Sequence, residues 1–249
     1  MKRLLLIPLV CAAIAAAGML LEEPAAAKYY RAVLIAAALV TAVSAFATTR
    51  RFAPGDRLFA SWLFVGIGYT LSTVRYSLRL IAMIRGGGDL LPRPALDALL
   101  ILQNVAIAVA LLMFVLAWNA TGLSRHRPWL TALGIAVALV VGGYPLVQGW
   151  KGAGADTVLL ISTLGDVVGI ALIVPLATSA LALRGGLLMH TWLYLALCEF
   201  FWMLYDIWLA VRGDAVGARA SLGIEQMIRV AAIMFAFIAT VAQRRAAPR

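Results

Sequence analysis

The chain has 249 residues, 64% of them hydrophobic and 13% charged, with a mean hydropathy of +0.97. A soluble domain is about half apolar and about a quarter charged, so this composition excludes a soluble globular protein and leaves little chain for an extramembrane domain. The formal charge of +10 sits in short loops and near the ends of the sequence, where basic residues act as topology signals; no nucleic-acid partner is expected.

Apolar runs divided by Pro, Gly and charge breaks predict eight helices, near 4–21, 30–48, 58–80, 96–118, 129–150, 157–183, 187–211 and 220–243. Crossing a hydrocarbon core of about 30 Å takes roughly 20 residues. The runs are continuous in Ala, Leu and Val, without the alternation of a barrel strand. The expected class is therefore all-α, a polytopic membrane bundle forming a single integral domain over 1–249.

The first span, "MKRLLLIPLVCAAIAAAG", has the basic start and small-residue end of a cleavable signal peptide. It is read here as retained, because Val10 precedes Cys11 where a lipobox needs a small residue, and because the repeat described below needs eight helices; cleavage would leave seven. The loop "TTRRFAPGDR" follows the second span. The third carries Arg75 and Arg79 one turn apart in "STVRYSLRLIAM", the fourth Gln103 and Asn104, and the fifth Tyr144 and Gln148. Asp166 lies in the sixth span and Glu199 and Asp206 in the seventh, beside the aromatic run Phe200, Phe201, Trp202, Tyr205 and Trp208, which is expected to be part packing and part lipid belt. Glu225 and Arg229 stand at i, i+4 in the eighth. Short connections such as "LRGG" predict antiparallel neighbours.

Loop charge orients the bundle. Lys2, Arg3, Arg50, Arg51, Arg57, Arg125, Arg127, Arg184, Arg244, Arg245 and Arg249 fall on one side with a single acid, Asp56, whereas the opposite loops mix signs. The basic side is expected to be cytoplasmic, with both termini inside, in the inner membrane.

"AVSAFATTRRFAPGDRLFASWLFVGIGYTLSTVRY", from Ala42, parallels "ATSALALRGGLLMHTWLYLALCEFFWMLYD", from Ala177. Trp62 answers Trp192, Tyr69 answers Glu199 and Tyr76 answers Asp206, and a weaker echo joins "LQNVAIAVALLMF" to "EQMIRVAAIMF". The pattern suits two four-helix halves, 1–124 and 125–249, in the same orientation, the parallel type of repeat.

With this topology Arg75, Arg79, Gln103, Asn104, Tyr144, Asp166, Asp206, Glu225 and Arg229 all fall in the outer halves of their helices, with Glu199 near mid-membrane. A charge at the bilayer centre costs roughly 2.5–3.5 kcal/mol, so such groups face a partner or a hydrated cavity. We expect Arg75 and Arg79 to face Asp206 and Glu199, with Asp166 and Glu225 completing a ligand pocket. Two plainer readings stand beside this: Arg79 snorkelling to headgroups, and Glu225 and Arg229 neutralising each other.

His126 and His190 do not make a bis-histidine haem bundle. No zinc-protease helix, P-loop or serine elbow is present, and no lysine in the last helices offers a retinal Schiff base. Cys11 and Cys198 show no ligand or redox spacing. No cofactor is expected. "STLGDVVGIAL" followed by "LMHTWLY" resembles the Gly-Asp and His-x-x-Tyr-type elements of lysoplasmalogenase-type membrane hydrolases, over about a fifth of the chain. The resemblance would make Asp166 an acid or metal-binding residue.

The expected function is a non-catalytic sensor or accessory module that binds a ligand or lipid from the outer side. Its partners would be membrane lipids, a small ligand and a protein in the membrane. A small secondary transporter using the intramembrane carboxylates is the alternative, and an intramembrane hydrolase the second alternative.

Overall fold

The computed structural model describes residues 2–86, 90–120, 128–151, 157–182, 186–211 and 218–247. Eight α-helices account for nearly all of them: α1 (Leu6–Ala16), α2 (Ala25–Thr49), α3 (Arg57–Ile84), α4 (Arg93–Ala120), α5 (Pro128–Lys151), α6 (Thr157–Ala182), α7 (Leu187–Val211) and α8 (Ala218–Ala246). Short 3-10 turns, Lys2–Leu5 and Ala17–Leu20, extend α1 at both ends. No strand occurs among the described residues.

Helix limits follow local chemistry. Gly55 adopts φ +97° ahead of α3, and Asp56 Oδ1 accepts the Leu58 amide at 2.9 Å as its N-cap. Gly86 at φ +95° ends the same helix, a conformation that a side chain would strain.

Five helices are long and apolar enough to cross a membrane: α2, α4, α6, α7 and α8. These make the chain a membrane-embedded bundle. The other three fall short by length or composition. The apolar stretches of α1 and α5 are shorter, Leu6–Leu20 and Ala132–Val147. At 28 residues α3 is long enough, but one face is polar. Its hydroxyls turn back onto their own helix, Ser61 to the Arg57 carbonyl at 2.7 Å, Thr70 to Gly66 at 2.8 Å, Ser72 to Gly68 at 3.2 Å and Thr73 to Tyr69 at 2.8 Å. Such bonds satisfy a hydroxyl without a partner from another helix.

Packing joins α2 to α3, α3 to α4, α4 to α6, α6 to α7, α7 to α8, and α8 back to α2. Six helices thus close a ring. The remaining two lie outside it, α1 against α8, and α5 against α6 and α7. Because α8 has α1, α2 and α7 around it, the whole segment from Val230 to Ala236 is buried. Its seam with α2 is polar: Thr41 donates to the Ile233 carbonyl at 3.3 Å, Ser44 meets Thr240, and Arg244 Nη2 donates to Ser44 Oγ at 2.9 Å.

One end of the ring is aromatic. Phe114, late in α4, lies edge-on between Trp62 and Trp192, at centroid distances of 4.9 and 5.1 Å, and Trp118 meets Trp192 at 6.1 Å. Trp62, Phe114, Trp118 and Trp192 are all buried and form one aromatic layer that joins α3, α4 and α7. The other end gathers the late residues of α3 and α7 with the early residues of α8, where Arg229 stacks on Tyr76 and Tyr205. The ring pairs joined by a direct connection, α2–α3, α3–α4, α6–α7 and α7–α8, are therefore antiparallel, as their short connections predict, whereas α4 with α6 and α8 with α2 run parallel.

Candidate functional site

Inside the ring is a cavity of about 350 Å³, lined from all six ring helices. On α3 the lining positions are Val65, Gly68, Tyr69, Ser72, Arg75, Tyr76 and Arg79. Their spacing of three and four keeps them on one stripe of the helix. On α7 the stripe is Leu195, Cys198, Glu199, Trp202, Tyr205 and Leu209, each 130 residues beyond an α3 counterpart, from Val65 and Leu195 to Arg79 and Leu209. Asp206 occupies the place of Tyr76 in this register. Seven residues at 1.5 Å each put Tyr69 and Glu199 about 10 Å from the tryptophan layer, and Tyr76 and Asp206 about 21 Å from it.

Eight of the sequence-predicted residues line the cavity: Arg75, Arg79, Gln103, Asn104, Asp166, Glu199, Glu225 and Arg229. Asp206 sits just behind the wall, fully buried, where Ser162 Oγ donates to its Oδ1 at 3.2 Å. Tyr144 is elsewhere. It lies on α5, outside the ring, and is 47% exposed. The side chain of Gln148 lies outside the described residues.

The pairing expected from depth alone is not the one observed. Arg75 has Arg79, Arg229, Tyr76 and Tyr205 as its electrostatic neighbours, not Asp206 or Glu199. Asp166 instead lies against Asp206 and Glu199. The charges are segregated: Arg31 of α2, Arg75 and Arg79 of α3 and Arg229 of α8 on one side, Asp166 of α6 with Glu199 and Asp206 of α7 on the other. The reason is ring order. Helices α3 and α7 are not neighbours in the ring; they face each other across the cavity and meet at Tyr69 and Cys198, while Asp206 turns toward Ser162 of α6 rather than toward Arg75.

Within the basic side Arg229 is well held. Its Nη1 donates to Glu225 Oε1 at 3.5 Å and to Gln226 Oε1 at 3.2 Å, and its guanidinium lies 5.1 Å from the Tyr76 ring and 5.2 Å from the Tyr205 ring. Gln226 Nε2 also donates to Glu225, at 3.0 Å. The i, i+4 neutralisation read from the sequence is thus present. On the acidic side Asp166 lies against Asp206 and Glu199, and Oδ2 of both Asp166 and Asp206 is buried without a donor.

Two glycines bring α6 up to the cavity. Gly169 touches the Glu199 carboxyl and Gly165 the Asn104 side chain, whose Nδ2 donates to the Ile161 carbonyl at 3.4 Å. Gly165 and Gly169 are the small-xxx-small pair by which membrane helices approach closely.

Sequence reasoning missed Arg31, Tyr69, Tyr76, Cys198, Trp202 and Tyr205 as lining residues. The α3 stripe was the available signal for its tyrosines. Arg31 escaped because, as the second residue of the span read at 30–48, it looked like an end of the helix, whereas α2 starts at Ala25 and carries it more than a turn inside. Tyr69 and Cys198 meet at 3.5 Å between Oη and Sγ.

Compared with known proteins, the chain matches no family model, no curated protein and no solved structure. The likeness to lysoplasmalogenase-type hydrolases rests on its two short segments, and the fold does not bring their key residues together. His190 precedes Glu199 by nine residues, about 13 Å nearer the aromatic end of α7, whereas Asp166 packs beside Glu199 and Asp206. Among the described residues, no group of three or more His, Cys, Asp or Glu is placed to hold a metal ion.

Proposed function

We propose that this is a multi-pass membrane protein that binds a small ligand or lipid headgroup inside its six-helix ring and acts as a sensor or accessory module. The observation that carries the reading is the shared lining: all six ring helices contribute side chains to one polar cavity. A ligand there contacts every ring helix at once, so binding biases their relative positions, which is what a sensor must transmit. The excess of Lys and Arg in the loops at the aromatic end supports the reading that the charged end faces outward from an inner membrane, with both termini cytoplasmic.

Cysteine accessibility tests this. Gln103→Cys, in a chain whose Cys11 and Cys198 are replaced by serine, is treated with a membrane-impermeant maleimide in right-side-out and inverted vesicles. Labelling from the outer face alone is expected. Absence of labelling from either face, or labelling only from the inner face, would overturn the reading.

A second reading, a small secondary transporter, is favoured by the lining stripes 130 residues apart on α3 and α7. Two parallel halves that place equivalent stripes across one cavity are a transporter arrangement. The aromatic layer at Trp62, Phe114 and Trp192 would then be the inner gate. Labelling of Gln103→Cys from both faces would favour transport over sensing. An intramembrane hydrolase has only the carboxyl cluster in its support.

A further inference from the structure

We infer that the basic side of the cavity is a seat for an oxyanion of the phosphate class, formed by Arg31, Arg75 and Arg79. The inference rests on the ligand-binding reading above and names the chemistry of its ligand.

The argument begins with an asymmetry between the two charged clusters. Buried carboxyls can take up protons and lose their charge, but a guanidinium stays charged in any protein environment. The cluster of Asp166, Glu199 and Asp206 can therefore exist without a cation. The arginine cluster cannot do without an anion. Among the described residues Arg31, Arg75 and Arg79 make no ion pair and no side-chain hydrogen bond. Glu225, whose charge acts on Arg31 from that side, is engaged by Arg229 and Gln226.

Arg75 is the decisive residue. It is 93% buried by the 7% exposure of its side chain and backbone together, it lines the cavity, and its Nε is enclosed with no acceptor. Its charged neighbours are other arginines. A buried charge without a counter-charge is unfavourable, and here the cations repel one another as well. An oxyanion entering the cavity removes both costs, because guanidinium forks match phosphate oxygens two bonds at a time. Ser72 and Gln103, whose Oε1 is also buried without a donor, lie on the same cavity and suit a ligand that carries a hydroxyl or protonated oxygen. The anion has two sources, a soluble phosphate compound or the headgroup of an anionic phospholipid, and the chemistry of the seat is common to both.

The test uses the intact protein in neutral maltoside and in phosphatidylcholine nanodiscs with and without phosphatidylglycerol, with inorganic phosphate as the soluble probe. The melting temperature should rise saturably with phosphate when compared with chloride at equal ionic strength. Arg75→Gln and Arg79→Gln should each raise the half-saturating concentration by at least about tenfold, whereas Arg57→Gln, whose guanidinium binds the Leu116 carbonyl at the aromatic end, should leave it unchanged. A rise that phosphatidylglycerol alone produces, and that abolishes the response to phosphate, assigns the seat to a lipid headgroup. A response to phosphate in both nanodiscs assigns it to a soluble anion. Failure of both probes to raise the melting temperature, or a response in both arginine variants equal to that of the native chain, would overturn the seat.

A second measurement separates this failure from failure of the cavity itself. The Gln103→Cys chain is treated with an anionic and a cationic methanethiosulfonate of similar size. Faster reaction with the anionic reagent, suppressed by phosphate, supports the seat. Equal reaction with both leaves the ligand-binding cavity standing and rejects the anion; no reaction with either rejects the cavity and the seat together.

Discussion

Gly169 of α6 lies directly against the carboxyl of Glu199 of α7, and a Cβ on Gly169 would fall within the space that Glu199 Oε2 fills. The contact couples the closest approach of α6 and α7 to the placement of a buried acid. Gly169→Ala should destabilise the protein by about 1–3 kcal/mol, the usual cost of overpacking a core. Shortening the partner should relieve it: in the double variant Gly169→Ala, Glu199→Ala, the alanine at 169 should add almost nothing to the cost of the alanine at 199. Thermal unfolding of the four chains of this cycle measures the coupling, and simple additivity would show that the two residues do not compete for space.

Asp206 reaches no arginine by an ion pair among the described residues; it accepts from Ser162 and faces Asp166. Asp206→Asn keeps an acceptor for Ser162 and adds an amide donor for Asp166. It should therefore change stability by less than about 1 kcal/mol, whereas Asp206→Leu should cost about 2–3 kcal/mol by leaving Ser162 and Asp166 without their partner. A large loss in the asparagine variant would mean that the charge, not the hydrogen bonding, is what the fold uses.

Phe114 joins Trp62 to Trp192 through two edge-on contacts and is fully buried. Phe114→Ala should cost about 3–5 kcal/mol, as truncation of a core aromatic does. Because this layer fills the aromatic end between α3, α4 and α7, the variant should also admit reagent from that end. Labelling of Gln103→Cys from the second face only when Phe114 is truncated would identify the layer as the barrier; an unchanged labelling pattern would place the barrier elsewhere.

Arg229 is held by geometry as well as charge, stacked between Tyr76 and Tyr205 and bonded to Glu225 and Gln226. Lysine keeps the charge but not the planar fork. Arg229→Lys should lower stability by about 1–2 kcal/mol, of which each lost cation–π contact accounts for roughly 0.5–1 kcal/mol. Tyr76→Leu in the lysine background should then cost less than Tyr76→Leu in the native chain, and equal costs would show that the stacking contributes nothing.

Helix number, order and limits were legible in the sequence because each is a local property. A run of apolar residues between breakers is a helix whatever surrounds it, and the seventh was read at 187–211 where α7 runs Leu187–Val211. Depth was legible too, since residue count times helical rise fixes how far Arg75 or Asp206 stands from the end of its helix. Eight of the ten residues grouped by depth do border one cavity.

What depth does not contain is direction around the ring. Arg75 and Asp206 share a level but belong to helices on opposite sides of the cavity, and Tyr144 shares that level on a helix the ring excludes. Both outcomes were decided when α4 packed against α6 and left α5 outside. Close packing of this kind is set by small residues such as Gly165 and Gly169, which let backbones approach only along one face. The sequence by itself therefore determined the helices and the height of each charge. Only the tertiary structure decided which charges meet, because that depends on the rotation and neighbours of every helix at once.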